Sequence, residues 1–166
     1  MAIYFHCDKK LGLEGIVTDE IMKGKGATEI NSFQFGAGNS TNISKAGVEK
    51  GTPSTSHITI TKNFDKMSPA LFKAVLLGST IPTAQIDFVA VGNDPKAGSV
   101  LYLSYKLTNA VIAEHNTSSG GDKPHESVSI VYEEIEMTYH TPPETGKNTP
   151  GDPVVQKWSV IKNTAA

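Results

Sequence analysis

The sequence predicts a mainly β protein: a β-barrel of two packed, largely antiparallel sheets, with one short α-helix and a long extended loop. Three observations carry that expectation. Short runs rich in β-branched and aromatic residues recur along the chain, several of them alternating with period two. A single segment combines helical apolar spacing with helix start and stop residues. Fifteen glycines and nine prolines punctuate the 166 residues, which implies many turns. A chain of this length fits one domain spanning 1–166 and buries roughly 70% of its unfolded surface. The lone cysteine, Cys7, excludes an intrachain disulfide framework.

The elements follow in order. Ala2 to Cys7 is a compact apolar run, and Gly15 to Thr18 suggests a brief second strand. Thr28 to Phe35 alternates, placing Phe33 and Phe35 on one face and Gln34 on the other. Gly36 to Ser56 is small and polar, a loop of about 20 residues that is unusual within a compact domain and points to function or disorder. His57 to Phe64 alternates cleanly, with Ile58 and Ile60 on one face. Ser68 to Gly78 reads as the helix, over about 68–77. Ser68 suits the N-cap, Pro69 the first helical position and Gly78 a left-handed C-terminal cap. Leu71, Phe72, Val75 and Leu76 form its apolar stripe, expected to cover the sheet.

Strands over Ala84–Val91, Val100–Thr108 and Glu126–Tyr139 come next. In the last of these, Val128, Ile130 and Tyr132 share one parity while Ile135, Met137 and Tyr139 share the other. The phase slips at Glu133-Glu134, which a β-bulge or a change of neighbours midway would each explain. Thr141 to Pro153 is polar and proline-rich, an exposed connector, and a final strand runs from about Val154 to Ile161.

Charge and hydropathy exclude several classes. All 15 basic side chains are lysine, and the formal net charge is −2. Without arginine's bidentate fork or a basic face, duplex nucleic acid is not an expected partner. No apolar run approaches the ~20 residues of a membrane span. The opening residues lack a basic region and an apolar stretch of secretory-signal type, so folding in a cytoplasm is expected.

The search for chemistry finds no constellation. His6, His57, His115, His125 and His140 lack metal-ligand spacing, and single histidines at strand ends are expected to be solvated. Cys7, in an apolar strand, reads as a buried inert thiol. Gly24-Lys25-Gly26 and Gly36-Ala37-Gly38 complete no phosphate loop. Glu133, Glu134 and Glu136 read as a solvated or lumenal acidic stripe rather than a glycosidase pair. No catalytic residue, metal or cofactor is therefore expected. A small sugar- or peptide-binding β-barrel module remains the alternative, with Tyr102, Tyr105 and Trp158 as candidate groove aromatics. Core packing accounts for them more simply. A hydrolase using scattered His, Asp and Glu is the other.

Several stretches together resemble one family. They are Ile3-Tyr4-Phe5-His6; Glu29-Ile30-Asn31-Ser32-Phe33-Gln34-Phe35-Gly36; Ile58 through Pro69 with its Asp65-Lys66-Met67-Ser68-Pro69 ending; Ser118 through Val128 with Ser119-Gly120-Gly121-Asp122; and Val154-Val155-Gln156-Lys157-Trp158-Ser159-Val160. In this order they resemble the haemolysin-coregulated proteins, the tube proteins of the bacterial type VI secretion system. The resemblance implies a homohexameric ring with a wide lumen. Rings would stack into a tube that a contractile sheath expels and a VgrG-type spike caps. Small secreted effectors would be carried in the lumen, with no membrane insertion. Export would proceed from the cytoplasm through the apparatus itself. The 36–56 loop would contact neighbouring rings, through Gly38, Asn39, Ser40, Thr41, Asn42, Lys45, Glu49 and Lys50. Gln34 would lie on the lumen wall, where the family is expected to carry a smaller residue.

Overall fold

The computed structural model describes residues 1–8, 11–44, 47–49, 51–91, 98–141 and 152–166. In chain order the elements are β1 (Ala2–Cys7), β2 (Thr28–Ile30), β3 (Ser32–Gln34), β4 (Ala37–Asn39), β5 (Asn42–Ser44), β6 (Gly47–Glu49), β7 (Pro53–Thr55), β8 (Ile58–Asn63), α1 (Ser68–Leu77), β9 (Thr80–Val91), β10 (Ser99–Ser118), β11 (His125–Val131), β12 (Glu134–Tyr139), β13 (Val154–Ser159) and β14 (Thr164–Ala165). One sheet runs β14-β13-β12-β10-β11-β8-β3, with β9 also on β10, β1 on β9 and β2 on β1. Each of these pairings is antiparallel.

The predicted 28–35 strand is two pieces. β2 pairs with β1 and β3 pairs with β8, and Asn31 is the bend between them. The Asn31 amide donates to the Thr61 carbonyl at 2.7 Å. The two ends of the curled sheet are thus joined covalently through one bent segment. No ladder closes the sheet among the described residues, so the barrel is looser than the sequence suggests. Its core holds Phe5, Ile30, Ile58, Ile60, Ile86, Leu107, Ile112, Val128 and Ile130, all nearly or fully buried. At about 25 cal/mol per Å² of apolar surface, such a core is the main stabilising term.

Gly15 to Thr18 forms no strand. Residues 11–27 instead wrap the outer face of β1 and β9. Met22 and Ala27 pack there with Tyr4 and Val89, and Leu13 reaches the main core. The Gly15 amide donates to Gly26 O at 2.8 Å, and a Cβ at Gly15 would collide with the Ala27 backbone. That contact, not strand pairing, is why glycine stands there.

The 133–134 phase slip has a two-sided origin. β10 keeps one register against β11 and β12, from Leu103↔Tyr139 through Thr108↔Glu134 to Val111↔Val131 and Ile112↔Ile130. The pairing skips Asn109 and Ala110 on one strand and Tyr132 and Glu133 on the other. Asn109 has φ +50 and donates from Nδ2 to Glu133 Oε2 at 2.6 Å. Both strands therefore change their buried parity together, from Leu107 to Ala110 and from Ile135 to Ile130. A bulge in one strand would have shifted the register, and none occurs at Glu133-Glu134. The register shift in this ladder lies between Ile112 and Glu114.

Helix α1 matches its predicted span, and Gly78 caps it with φ 58, its amide donating to Val75 O. The start differs. Met67 is the N-cap, in helical conformation, and Ser68 is the first helical residue. Asp65 satisfies the free amides instead, accepting from Met67 N through Oδ1 and from Ser68 N through its carbonyl. The stripe also splits. Leu71 and Ala74 are buried, but Phe72 is 55% and Leu76 69% exposed. The helix leans on β10 along one narrow edge and leaves the rest of its apolar surface outward.

Candidate functional site

The 36–56 segment is not a structureless loop. β4 pairs with β7 (Gly38↔Ser54, Asn39↔Pro53) and β5 pairs with β6 (Asn42↔Glu49, Ile43↔Val48). Two short ladders in series make a narrow arm. Ser40 and Thr52 join them: Ser40 N donates to Thr52 O at 3.3 Å and Thr52 N to Ser40 Oγ at 3.1 Å. A side chain at Gly51 would strike the Ser40 backbone, which explains that glycine. At the root, Ser56 N donates to Gly36 O at 2.8 Å and Gly36 N to Ser56 Oγ at 2.9 Å. Both faces of the arm meet solvent, so nothing imposes hydrophobic alternation, and composition alone reads it as loop.

Gly38, Asn39, Ser40, Thr41, Asn42 and Glu49 are all exposed on this arm. Lys45 and Lys50 lie outside the described residues, as do Pro142, Pro143 and Pro150 of the predicted connector. At the arm's far end the cross-strand pair Ile43 and Val48 is 80% and 71% exposed. Composition gave no notice of this pair, because two isolated apolar residues in a polar run carry no period.

Gln34 stands on β3 opposite Thr59 and is exposed, whereas Phe33 and Phe35 turn inward as the alternation requires. Phe33 packs edge-on to Phe88 at 5.3 Å and against Tyr105 at 4.8 Å between ring centres. Tyr102, Tyr105 and Trp158 pack, partly buried, against the same core.

A buried polar network joins β8, β10, β11 and α1. Lys62 and Glu126 are directly opposite across β8 and β11, and both side chains are fully buried. Lys62 Nζ donates to Glu126 Oε1 at 2.5 Å, to Asp65 Oδ1 at 2.7 Å and to Ser68 Oγ at 3.2 Å. Ser68 Oγ donates to Glu126 Oε1 at 2.7 Å, and His115 Nε2 meets Glu126 Oε2 at 2.8 Å. Thr28 Oγ1 donates to Asp65 Oδ2. Partial burial pushes the Asp65 carboxyl up, but the bonds from Lys62, Thr28 and Met67 together hold it below its ordinary value.

On the outer face of β1 and β9, Asp87 is buried. It takes His6 Nε2 at 2.9 Å and Gln85 Nε2 at 2.7 Å, with Lys25 Nζ at 3.6 Å. Burial raises its pKa, these three partners together lower it by more, and the net direction is down. His6 and His115 are thus held against buried carboxylates rather than solvated, whereas His57 and His125 are exposed. Both arrangements hold a histidine ring against a buried carboxylate. Among the described residues no group of three or more His, Cys, Asp or Glu could hold a metal. Cys7 is buried and its thiol is pushed up to about 12 by burial, then by Asp8. Glu133 takes the Asn109 amide and Glu134 pairs with Lys157 at 2.9 Å. No helix among the described residues is long and apolar enough to cross a membrane.

The fold matches known proteins. A family described as "Type VI secretion system effector, Hcp" matches residues 5–139. The chain belongs to the Hcp family. A solved "type six secretion system protein" is 26% identical, with TM-score 0.84 over 99% of each chain. Hcp1 from Salmonella typhimurium is 21% identical, with TM-score 0.71 over 99% of this chain and 98% of that one. A mutant form of Hcp1 from E. coli EAEC 042 is 23% identical, with TM-score 0.70 over 96% and 97%. No curated protein matches by sequence. Hcp proteins are structural components of type VI secretion and not an enzyme family, and the chain is a type VI secretion tube protein by family and fold.

Proposed function

We propose that this Hcp chain assembles into homohexameric rings that stack into the expelled type VI tube, with effectors carried in the lumen. The arm is the observation that carries the reading. None of its described residues belongs to either core cluster, yet its two ladders pair and its root is hydrogen-bonded. A device ordered at the cost of about 1–2 kcal/mol per residue in backbone entropy, and held to its own subunit at the root by Tyr132 while Ile43 and Val48 stand exposed, fits a contact between subunits. Arm residues Gly38, Asn39, Ser40, Thr41, Asn42, Lys45, Glu49 and Lys50 would meet the next ring. A VgrG-type spike and a contractile sheath are the further partners of such a tube. Light scattering on the purified protein tests the ring. A mass near six subunits is expected; a monomer at micromolar concentration would overturn it.

Gln34 serves as the lumen position in this reading. It is exposed on β3 while its neighbours Phe33 and Phe35 anchor the strand in the core. Gln34→Arg places a charge on the cargo wall without disturbing those anchors. Co-purified effector should fall about tenfold or more, at unchanged ring mass. Loss of the ring would make Gln34 an interface residue instead, and full effector retention would move cargo contact elsewhere.

A further inference from the structure

Beneath the exposed side of α1 lies a cavity of about 350 Å³, lined by Phe64, Ser68, Pro69, Phe72, His115 and Thr117. Phe64 is 48% exposed at its rim, and the Phe72 and His115 rings stand 6.3 Å apart between centres. Its base is firm. Ser68 and His115 are both held by Glu126, which is itself bound to Lys62, and the Phe64 amide donates to Pro124 O at 2.9 Å. An apolar hollow with a rigid polar base persists without an occupant and shows a matching surface to solvent.

The arm carries the complementary feature. Ile43 and Val48 stand side by side at its far end and touch no core. A cavity of about 150 Å³ accommodates a benzene-sized group, so this one has room for both aliphatic side chains.

Position along β8 decides who can meet whom. The arm roots at Ser56, just before Ile58; the cavity begins at Phe64, just after Asn63. Six residues of strand separate the two by about 20 Å. β3 is antiparallel to β8 and runs from the Thr61 level to the Thr59 level, so the chain enters the arm heading away from Phe64. One subunit therefore presents the tip at one end and the hollow at the other.

We propose that the Phe64–Phe72–His115 hollow is the seat for the Ile43–Val48 arm tip of a second copy of this chain. The contact is heterologous, one patch on a different patch, and repeats without closing when copies are displaced along β8. It rests on the reading of the arm as an inter-ring contact and names the surface that receives it.

The test is oxidative cross-linking of the Ile43→Cys/Phe72→Cys double variant, with light scattering before oxidation. Both positions are exposed, and Cys7 is buried and does not compete. Disulfide-linked subunits are expected at least about tenfold above either single variant and above an Ile43→Cys/Leu77→Cys control. Linking in Ile43→Cys alone would mean that arm tips meet each other, and would overturn the seat. Ring-sized particles without a link in the double variant would overturn the seat and leave the ring standing. A monomeric wild-type protein would overturn both. As a second measurement, Phe72→Asp and Ile43→Asp should each preserve ring mass and stop tube growth; tubes of normal length in both would sink the proposal.

Discussion

Removing Asn39 through Gly51 leaves the ring at its full mass and abolishes tube formation and export. The deletion joins Gly38 to Thr52, which keeps the Gly38↔Ser54 pair and the root bonds between Gly36 and Ser56. The described residues of the deleted segment are exposed or half-buried and none belongs to a core cluster, so no described core contact is lost. Loop closure becomes slightly cheaper, by about 0.6 kcal/mol per halving of loop length. The melting temperature should accordingly move by no more than a few degrees, while the protein disappears from the culture supernatant. Export equal to wild type would end the stacking role of the arm. Loss of ring mass would place the arm in the lateral interface.

Lys62→Ala should destabilise the fold by about 3–5 kcal/mol, because it strands a buried carboxylate. For a chain of this size that corresponds to a fall in Tm of roughly 10 °C. The magnitude follows from burial: Lys62 and Glu126 side chains are both fully excluded from water, and the one ammonium serves Glu126, Asp65 and Ser68. The double variant Lys62→Met/Glu126→Gln removes both formal charges and leaves an amide oxygen for Ser68 and His115. It should lose clearly less than Lys62→Ala, since replacing a buried pair is far cheaper than breaking it. Thermal unfolding of the three proteins decides the matter. A cost below about 1 kcal/mol for Lys62→Ala would mean that the pair behaves like a hydrated surface bridge.

Much of this protein was legible from its residues alone. The strands at Ala2–Cys7 and Ile58–Asn63, the helix with its Gly78 cap and the inward turn of Phe33 and Phe35 all follow from period and end signals. These are local properties, set by where side chains point along one element. The stretches between Phe5 and Val128 that resemble the family fall within its match to residues 5–139, whereas Val154–Val160 lies beyond it. The break near Glu133 was visible as a parity change, but its cause was not. Its partner is Asn109, which only pairing brings opposite.

The remaining features depend on what faces what across the fold. Lys62 is in phase with Ile58 and Ile60, and Glu126 with Val128 and Ile130, so each strand alone already pointed a charge inward. Only the register of β8 against β11 made them partners across 64 residues. The exposure of Phe72 and Leu76 was decided by how narrowly α1 rests on β10, which helical spacing cannot reveal. The arm's ladders were decided by backbone pairing between segments that bury nothing, where sequence pattern has no hydrophobic face to record. Local chemistry therefore determined which elements form. Long-range pairing decided where the charges, the exposed apolar surface and the arm came to stand, because burial is a property of neighbours distant in the chain.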